Sequence, residues 1–316
     1  MHEDLLLLDS IRLNFSAASL HVMNICIGFV MFGVALGIKW DQMKAIIMNP
    51  RKVIIGLASQ FLVLPAVTFI AVIIFGNFLT PAVAFGMILV ASCPGGNVSN
   101  FISSVAKANV PLSISLTAAG TVLAVIFTPL NFAFWGGLYS ATSPYLRPIE
   151  IDPMDMFRTV IILLGIPVVL GIMFSQKFPK ITEKIKKPIG TISMIFFIAF
   201  LLFAFKNNYY YFIKYINWIL LIVFAHNGLA LLSGYLFPAL FGLNQIDRRT
   251  ISIETGIQNS GLALVLLFNP RIFPEDLQMG GMAFIAAWWG IWHIISGLSL
   301  ATFWGSFRKA EVAIEK

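Results

Sequence analysis

Residues 252–261 read Ser-Ile-Glu-Thr-Gly-Ile-Gln-Asn-Ser-Gly, and they put an acid, Glu254, inside an otherwise apolar stretch. Gln258 follows one helical turn later. Ser113 and Thr117 share the same i, i+4 spacing, so they lie on one helix face. Ser99 and Asn100 close a second polar run, Cys-Pro-Gly-Gly-Asn-Val-Ser-Asn, at residues 93–100, and Gln60 is a lone amide in an apolar segment. A desolvated hard cation takes several oxygen ligands from carboxylate, amide, hydroxyl and carbonyl groups. Taken singly, each Ser or Thr reads as a packing or back-bonding residue of a helix. As a set around one acid they read as a cation site. The residue types call for a monovalent cation and do not separate sodium from a proton carried by Glu254.

The same two runs break the helices that hold them. Pro94 removes a backbone donor, and the two glycines after it weaken the helix further. Backbone groups freed at membrane depth are tolerated only inside protein or beside a wet cavity. Beyond each break the second half-helix starts with free N–H groups and the positive end of its dipole. Two such ends, near Asn97 and Asn259, predict a cavity suited to an anionic group such as a carboxylate. His293, and His226 with Asn227, are candidates to line it, or else hydrogen-bonded packing residues.

These residues must be positioned by membrane-spanning helices. Of 316 residues, 59% are hydrophobic and 11% charged, against about 25% charged in an ordinary soluble domain. The fold class is therefore all-α and polytopic, within a lipid bilayer. Nine apolar runs are long enough to cross, roughly 19–38, 53–75, 82–106, 111–138, 157–175, 189–205, 217–241, 251–272 and 279–305. They are continuously apolar, which excludes the alternation of a β-barrel. The net charge of +7 is spread between spans, so it reads as a topology signal and no nucleic-acid partner is expected. Cys26 and Cys93 lie in apolar runs and propose neither a disulfide nor a transition-metal site. The acidic N-terminus does not read as a signal peptide.

Alternate links carry unequal basic charge. Lys39, Lys44, Arg51, Lys52, Lys107, Lys177, Lys180, Lys184, Lys186, Lys187, Arg248, Arg249, Arg308, Lys309 and Lys316 fall on one side. Arg12, Arg147, Arg158, Lys206, Lys214 and Arg271 fall on the other. The positive-inside rule places the larger group in the cytoplasm. The expected orientation has the N-terminus outside and the C-terminus inside, in a cell (inner) membrane.

The broken spans, third and eighth, occupy matching positions in two groups of four. Residues 1–316 then form one transporter domain, with inverted repeats over about 19–138 and 189–305 and an unpaired helix at about 157–175. Interrupted helices in corresponding positions point to a transporter's binding site. Glu254 is the only acid well inside a span, and such residues face an ion path or a partner.

At these residues the chain resembles the bile acid:sodium symporter family. The resemblance spans nearly the whole chain. It is densest in CPGGNVSN (93–100), RRTISIETGIQNSG (248–261) and HNG (226–228), with GLASQFLVLP (56–65) and WHIISG (292–297) similar too. It implies a core domain and a panel domain built from inverted repeats, with the third and eighth spans crossing in the core. It also implies two sodium ions as coupling ions, with no other cofactor. One would be held by Ser99, Asn100, Ser113, Thr117 and Glu254. The other would take Gln60, Glu254, Gln258 and the backbone carbonyls of Thr255 and Ile257. Substrate would bind near Asn97, Asn259 and His293. The chain departs from its ten-span bacterial relatives in lacking an extra N-terminal helix. It also carries Ile294 where some have a polar residue.

The functional expectation is sodium-coupled symport of a small organic anion, bile-acid-like or another carboxylate, by alternating access. A proton-coupled transporter using Glu254 as carrier is the alternative within transport. An intramembrane enzyme is disfavoured, because the sequence shows neither paired aspartates, nor HExxH, nor a Ser/His dyad by spacing. A ligand-binding receptor is disfavoured by the absence of an appended signalling domain. The sequence leaves the oligomeric state open.

Overall fold

The computed structural model of the chain describes residues 2–11, 17–38, 50–96, 98–142, 153–207, 209–269, 272–273 and 279–314. Asn97 lies outside the described residues. So do Arg12, Lys39, Lys44, Arg147, Arg271 and Lys316 of the basic residues used for orientation.

Every regular element among the described residues is helical. In chain order they are α1 (His2–Asp9), α2 (Ala17–Leu36), α3 (Pro50–Ile74), α4 (Pro81–Ser92), α5 (Val98–Val105) and α6 (Val110–Thr142). Then come α7 (Pro153–Val160 continuing through Ile166–Lys177), α8 (Pro179–Asn207), α9 (Tyr209–Leu236), α10 (Gln245–Gly256), α11 (Ser260–Leu267) and α12 (Gly280–Ile314). Among the described residues, α3, α6, α7, α9 and α12 are each long and apolar enough to cross a bilayer, by length and composition. α4 is shorter, and every residue from Ala82 to Ser92 is buried. A helix apolar all round belongs inside a bundle, and α4 packs between α12, α3 and α6.

Proline chemistry shapes the long helices. Pro65 has no N–H to give to the carbonyl four residues back, Phe61 O. The chain answers with a π-turn over Ser59–Val63, in which Leu64 N donates to Ser59 O. The freed Phe61 carbonyl accepts from Asn131 Nδ2 of α6 at 2.8 Å. Such single π-turns recur at functional sites, and this one holds Gln60. A second π-turn, Ile161–Gly165, precedes Pro167 in α7.

Two sets of neighbours emerge from the packing. α2, the second half of α7 and α8 pack chiefly on one another. The interrupted helices α4/α5 and α10/α11 pack with α3, α6, α9 and α12. Between apolar helices in lipid, such packing is driven by close van der Waals fit and interhelical hydrogen bonds.

Candidate functional site

Both runs singled out by sequence interrupt their helices. α4 ends at Ser92, and Cys93, which precedes Pro94, is extended at φ −77° and ψ 159°. That is the conformation the following proline enforces. α10 ends at Gly256, Ile257 leaves the helical region, and Asn259 caps α11 by accepting from Leu262 N at 3.1 Å. The two breaks satisfy one another. Gly95 and Gln258 form an antiparallel bridge, Gly96 N donates to Ile257 O, and Asn259 N donates to Pro94 O at 2.8 Å. Backbone groups that would be orphaned in lipid are thereby paired across the crossing.

Glu254 lies in the last turn of α10, against this crossing, and is wholly buried. Its Oε1 accepts from Ser99 Oγ of α5 at 2.6 Å and from Ser113 Oγ of α6. Thr117 Oγ1 is 3.2 Å from both carboxylate oxygens and 3.3 Å from Asn100 Oδ1. Gln60 Nε2, on the π-turn of α3, is 3.4 Å from Oε2 and 3.3 Å from the Glu254 carbonyl. Four helices thus converge on one carboxylate. Thr117 has one hydroxyl proton for four oxygen neighbours, Ser99 included. Its position is that of one oxygen in a shell of oxygens more than of one donor to one acceptor. Among the described residues, no ion pair joins Glu254 to a basic side chain. The guanidiniums of Arg248 and Arg249 lie instead over the rings of Tyr235 and Trp304.

A second set of oxygens lies beside the first. Gln60 Oε1 and Gln258 Oε1 are buried and accept no hydrogen bond. The Thr255 carbonyl accepts from Gln258 Nε2 at 2.8 Å, and the Ile257 carbonyl points into the crossing. An unpaired buried acceptor costs roughly 1–3 kcal/mol, and an oxygen-coordinated cation is one group that would satisfy it. The donors are all oxygen, which suits a hard cation and not a thiophilic metal. Among the described residues, no group of three or more His, Cys, Asp or Glu side chains is placed to hold a metal ion.

The residues expected near substrate are less gathered. Asn259 spends its side-chain Oδ1 on the α11 cap. His293 of α12 is buried, and its Nδ1 has no hydrogen-bond partner among the described residues. His226 has its Nε2 hydrogen-bonded to Thr68 Oγ1 at 2.8 Å and its ring against Trp289, with 4.8 Å between centroids. That is the packing alternative for this histidine. Its neighbour Asn227 braces the crossing, donating to Gly256 O at 2.8 Å and accepting from Ser296.

Two contributors escaped sequence reasoning, and a third, Gly95, was read only as a helix breaker. Ser59 meets Thr255 hydroxyl to hydroxyl at 2.8 Å. Asn131 secures the π-turn under Gln60. Gly95 lets the two helix breaks meet, since a Cβ there would stand 3.0 Å from both Gln60 Nε2 and the Glu254 carbonyl. The signal for Asn131 was Pro65, whose missing N–H had to leave a carbonyl seeking a donor.

An all-helical membrane protein that buries one carboxylate in a ring of oxygens, at the meeting of two interrupted helices, is by class an ion-coupled transporter. The chain belongs to the sodium bile acid symporter family, whose sequence profile matches residues 24–215. It is 30% identical over 297 residues to a protein of Bacillus subtilis (strain 168) named "Uncharacterized sodium-dependent transporter YocS", covering 93% of this chain and 86% of that protein. It is 30% identical over 236 residues to the "Probable sodium/metabolite cotransporter BASS1, chloroplastic" of Arabidopsis thaliana, covering 75% of this chain and 56% of that one. To the "Ileal sodium/bile acid cotransporter" of Oryctolagus cuniculus it is 27% identical over 285 residues, covering 86% of this chain and 78% of that protein. The family is one of sodium-dependent transporters and not of enzymes.

Proposed function

We propose that this protein couples inward sodium movement to uptake of a small organic anion across the cell membrane. The carrying observation is the buried Glu254 carboxylate with its oxygen neighbours at the crossing. A lone buried carboxylate is costly unless a positive charge meets it, and no basic side chain among the described residues does. One sodium ion takes Ser99, Asn100, Ser113, Thr117 and Glu254. A second takes Gln60, Glu254, Gln258 and the carbonyls of Thr255 and Ile257.

The nine spans are then α2, α3, α4/α5, α6, α7, α8, α9, α10/α11 and α12. The repeats at about 19–138 and 189–305 are inverted about the crossing, and α7 is the helix without a counterpart. The mutual packing of α2, α7 and α8 supports a panel of these three against a core of the rest. Substrate occupies the space between them, near Asn97, Asn259 and His293, with its anionic group toward the half-helix N-termini of α5 and α11. Bile acids and smaller carboxylates both fit that chemistry. Coupling follows because α10 carries sodium ligands and α11, joined to it through residues 257–259, carries the substrate end. Access alternates as core moves against panel. The N-terminus faces out and the C-terminus faces the cytoplasm.

The test is thermal stability of the purified protein in sodium against potassium, for wild type and Glu254→Gln. A ligand that binds only the folded state adds about 2.7 kcal/mol at one hundred times its Kd. Sodium-selective stabilisation that the variant loses is the expected result. Indistinguishable ions over a wide concentration range would overturn sodium coupling and leave Glu254 as a proton carrier, read by repeating the melt against pH.

A further inference from the structure

The polar residues around Glu254 do not stop at the site. On α10, Thr250 and Asp247 lie four and seven residues before Glu254, so the row descends about 10 Å along one face. Opposite them, Asn109 precedes α6 at the spacing that sets it one and two turns before Ser113 and Thr117. The two rows touch all the way down. Asn109 N donates to Thr250 Oγ1 at 2.8 Å, and Asn109 Nδ2 donates to Asp247 Oδ1 at 2.7 Å. At the far end, Lys52 of α3 reaches Asp247 Oδ2 at 2.6 Å. Asp247 is buried, its side chain 2% exposed, while that of Lys52 is 39% exposed. Nothing about the sodium sites requires this arrangement. A buried acid with an ammonium at its outer edge is a costly way to hold three helices together, since apolar residues would do as well.

We propose that Asp247 and Lys52 form the cytoplasmic gate of the cation path, with the seam between α6 and α10 as its conduit. This rests on the reading of Glu254 as a sodium site. A sodium ion leaving Glu254 meets the Ser113 hydroxyl, then the Thr250 hydroxyl and the Asn109 amide, and arrives at Asp247. There it replaces the Lys52 ammonium, which has solvent to swing into. The positive charge on Asp247 is exchanged and never removed, so the buried acid stays compensated at each stage. Asn109 also caps α6 by accepting from Leu112 N at 3.1 Å, which fixes the outer end of the seam to the helix that carries Ser113 and Thr117.

A gate is a barrier, so it scales the rates of entry and exit together and leaves the equilibrium constant alone. The full-length protein with Lys52→Gln and Asp247→Asn together keeps the charge balance while removing the lock. Sodium affinity is read from the sodium-dependent melt, and exchange rate from sodium-23 NMR line broadening. The expected result is an unchanged Kd with association and dissociation both faster by about fivefold, as for loss of one partly exposed ion pair. Thr250→Val keeps the shape, removes a stepping oxygen and is expected to slow both rates, so the proposal is read even if the double variant fails to fold. Unchanged rates in the variants that fold, or a changed Kd, would overturn the gate and leave the sodium site standing. A wild type without any sodium-selective response would overturn both.

Discussion

Gly95 lies opposite Gln258 in the antiparallel bridge that joins the two interrupted spans. One residue comes from each half of the chain, and each sits where its own helix has stopped. The bridge binds the two breaks into a single unit, so whatever fixes Gln258 also fixes the loop that leads into α5. Gln60 and Glu254 both pack against Gly95, which places the amide, the acid and the bridge within one contact shell.

Gly95→Ala tests that closeness. The added Cβ would stand 3.0 Å from Gln60 Nε2 and the Glu254 carbonyl and 3.1 Å from Glu254 Oε2. Overpacking of a fitted interior costs typically about 1–3 kcal/mol. The variant is expected to melt lower and to lose most of its sodium-dependent gain, because the clash falls on the ligands themselves. A melt in sodium and potassium reads both effects. A variant that melts lower but keeps the full sodium gain would show that the bridge serves stability alone.

Asn131→Ala acts at a distance. Asn131 touches none of the proposed ion ligands. It satisfies the Phe61 carbonyl that Pro65 leaves free in the π-turn carrying Gln60. An unsatisfied buried carbonyl costs roughly 1–3 kcal/mol, and the relief open to the chain is to shift the turn. The expected outcome is a lower melting temperature and weaker apparent sodium affinity, with selectivity over potassium kept. Unchanged sodium affinity would place the role of Asn131 in helix packing only.

How far the sequence spoke depends on the kind of interaction. Pro94, the paired glycines and the i, i+4 spacing of Ser113 and Thr117 are local patterns, and the structure has the helix break and the shared face that they predict. The helix interruptions fell within the polar runs because proline and glycine act on their own neighbourhood. The convergence of Ser99, Gln60 and α6 on one carboxylate is different. It joins residues up to 194 positions apart; residue types and the family resemblance suggested the set, and packing supplies its geometry. His226 shows the limit most plainly. Its position in an apolar span fits a cavity wall and a core equally, and the choice rests on Thr68, 158 residues away. Asp247 drew no reading from the sequence, since its two partners, Lys52 and Asn109, come from separate links.

The last prediction concerns pH at the chain's start. α1 is eight residues long, far too short to cross a bilayer. It docks by Leu5 and Leu8, both fully buried, and by Asp9. Asp9 Oδ1 accepts from Thr80 Oγ1 at 3.0 Å, and Oδ2 accepts from Ala82 N at 3.4 Å, at the start of α4. A Cβ on Gly281 would press on Asp9 Oδ1 and on the Val83 backbone of α4, so a glycine in the first turn of α12 suits this close approach. Burial raises the Asp9 carboxyl to about 7, outweighing the lowering by its hydrogen bonds to Thr80, Ala82 and Gly281. A carboxyl raised by docking favours the docked state while it is protonated. Its contribution is complete below the ordinary carboxylate value near 3.8 and is lost as pH rises through about 7. α1 should therefore hold tightly at pH 5 and loosen by pH 8.5. Hydrogen exchange of the Leu5–Leu8 amides, corrected for the intrinsic pH dependence of exchange, should show protection falling across that window. Asp9→Asn stays neutral throughout and should keep protection flat. Equal pH dependence in wild type and variant would locate the titrating group elsewhere.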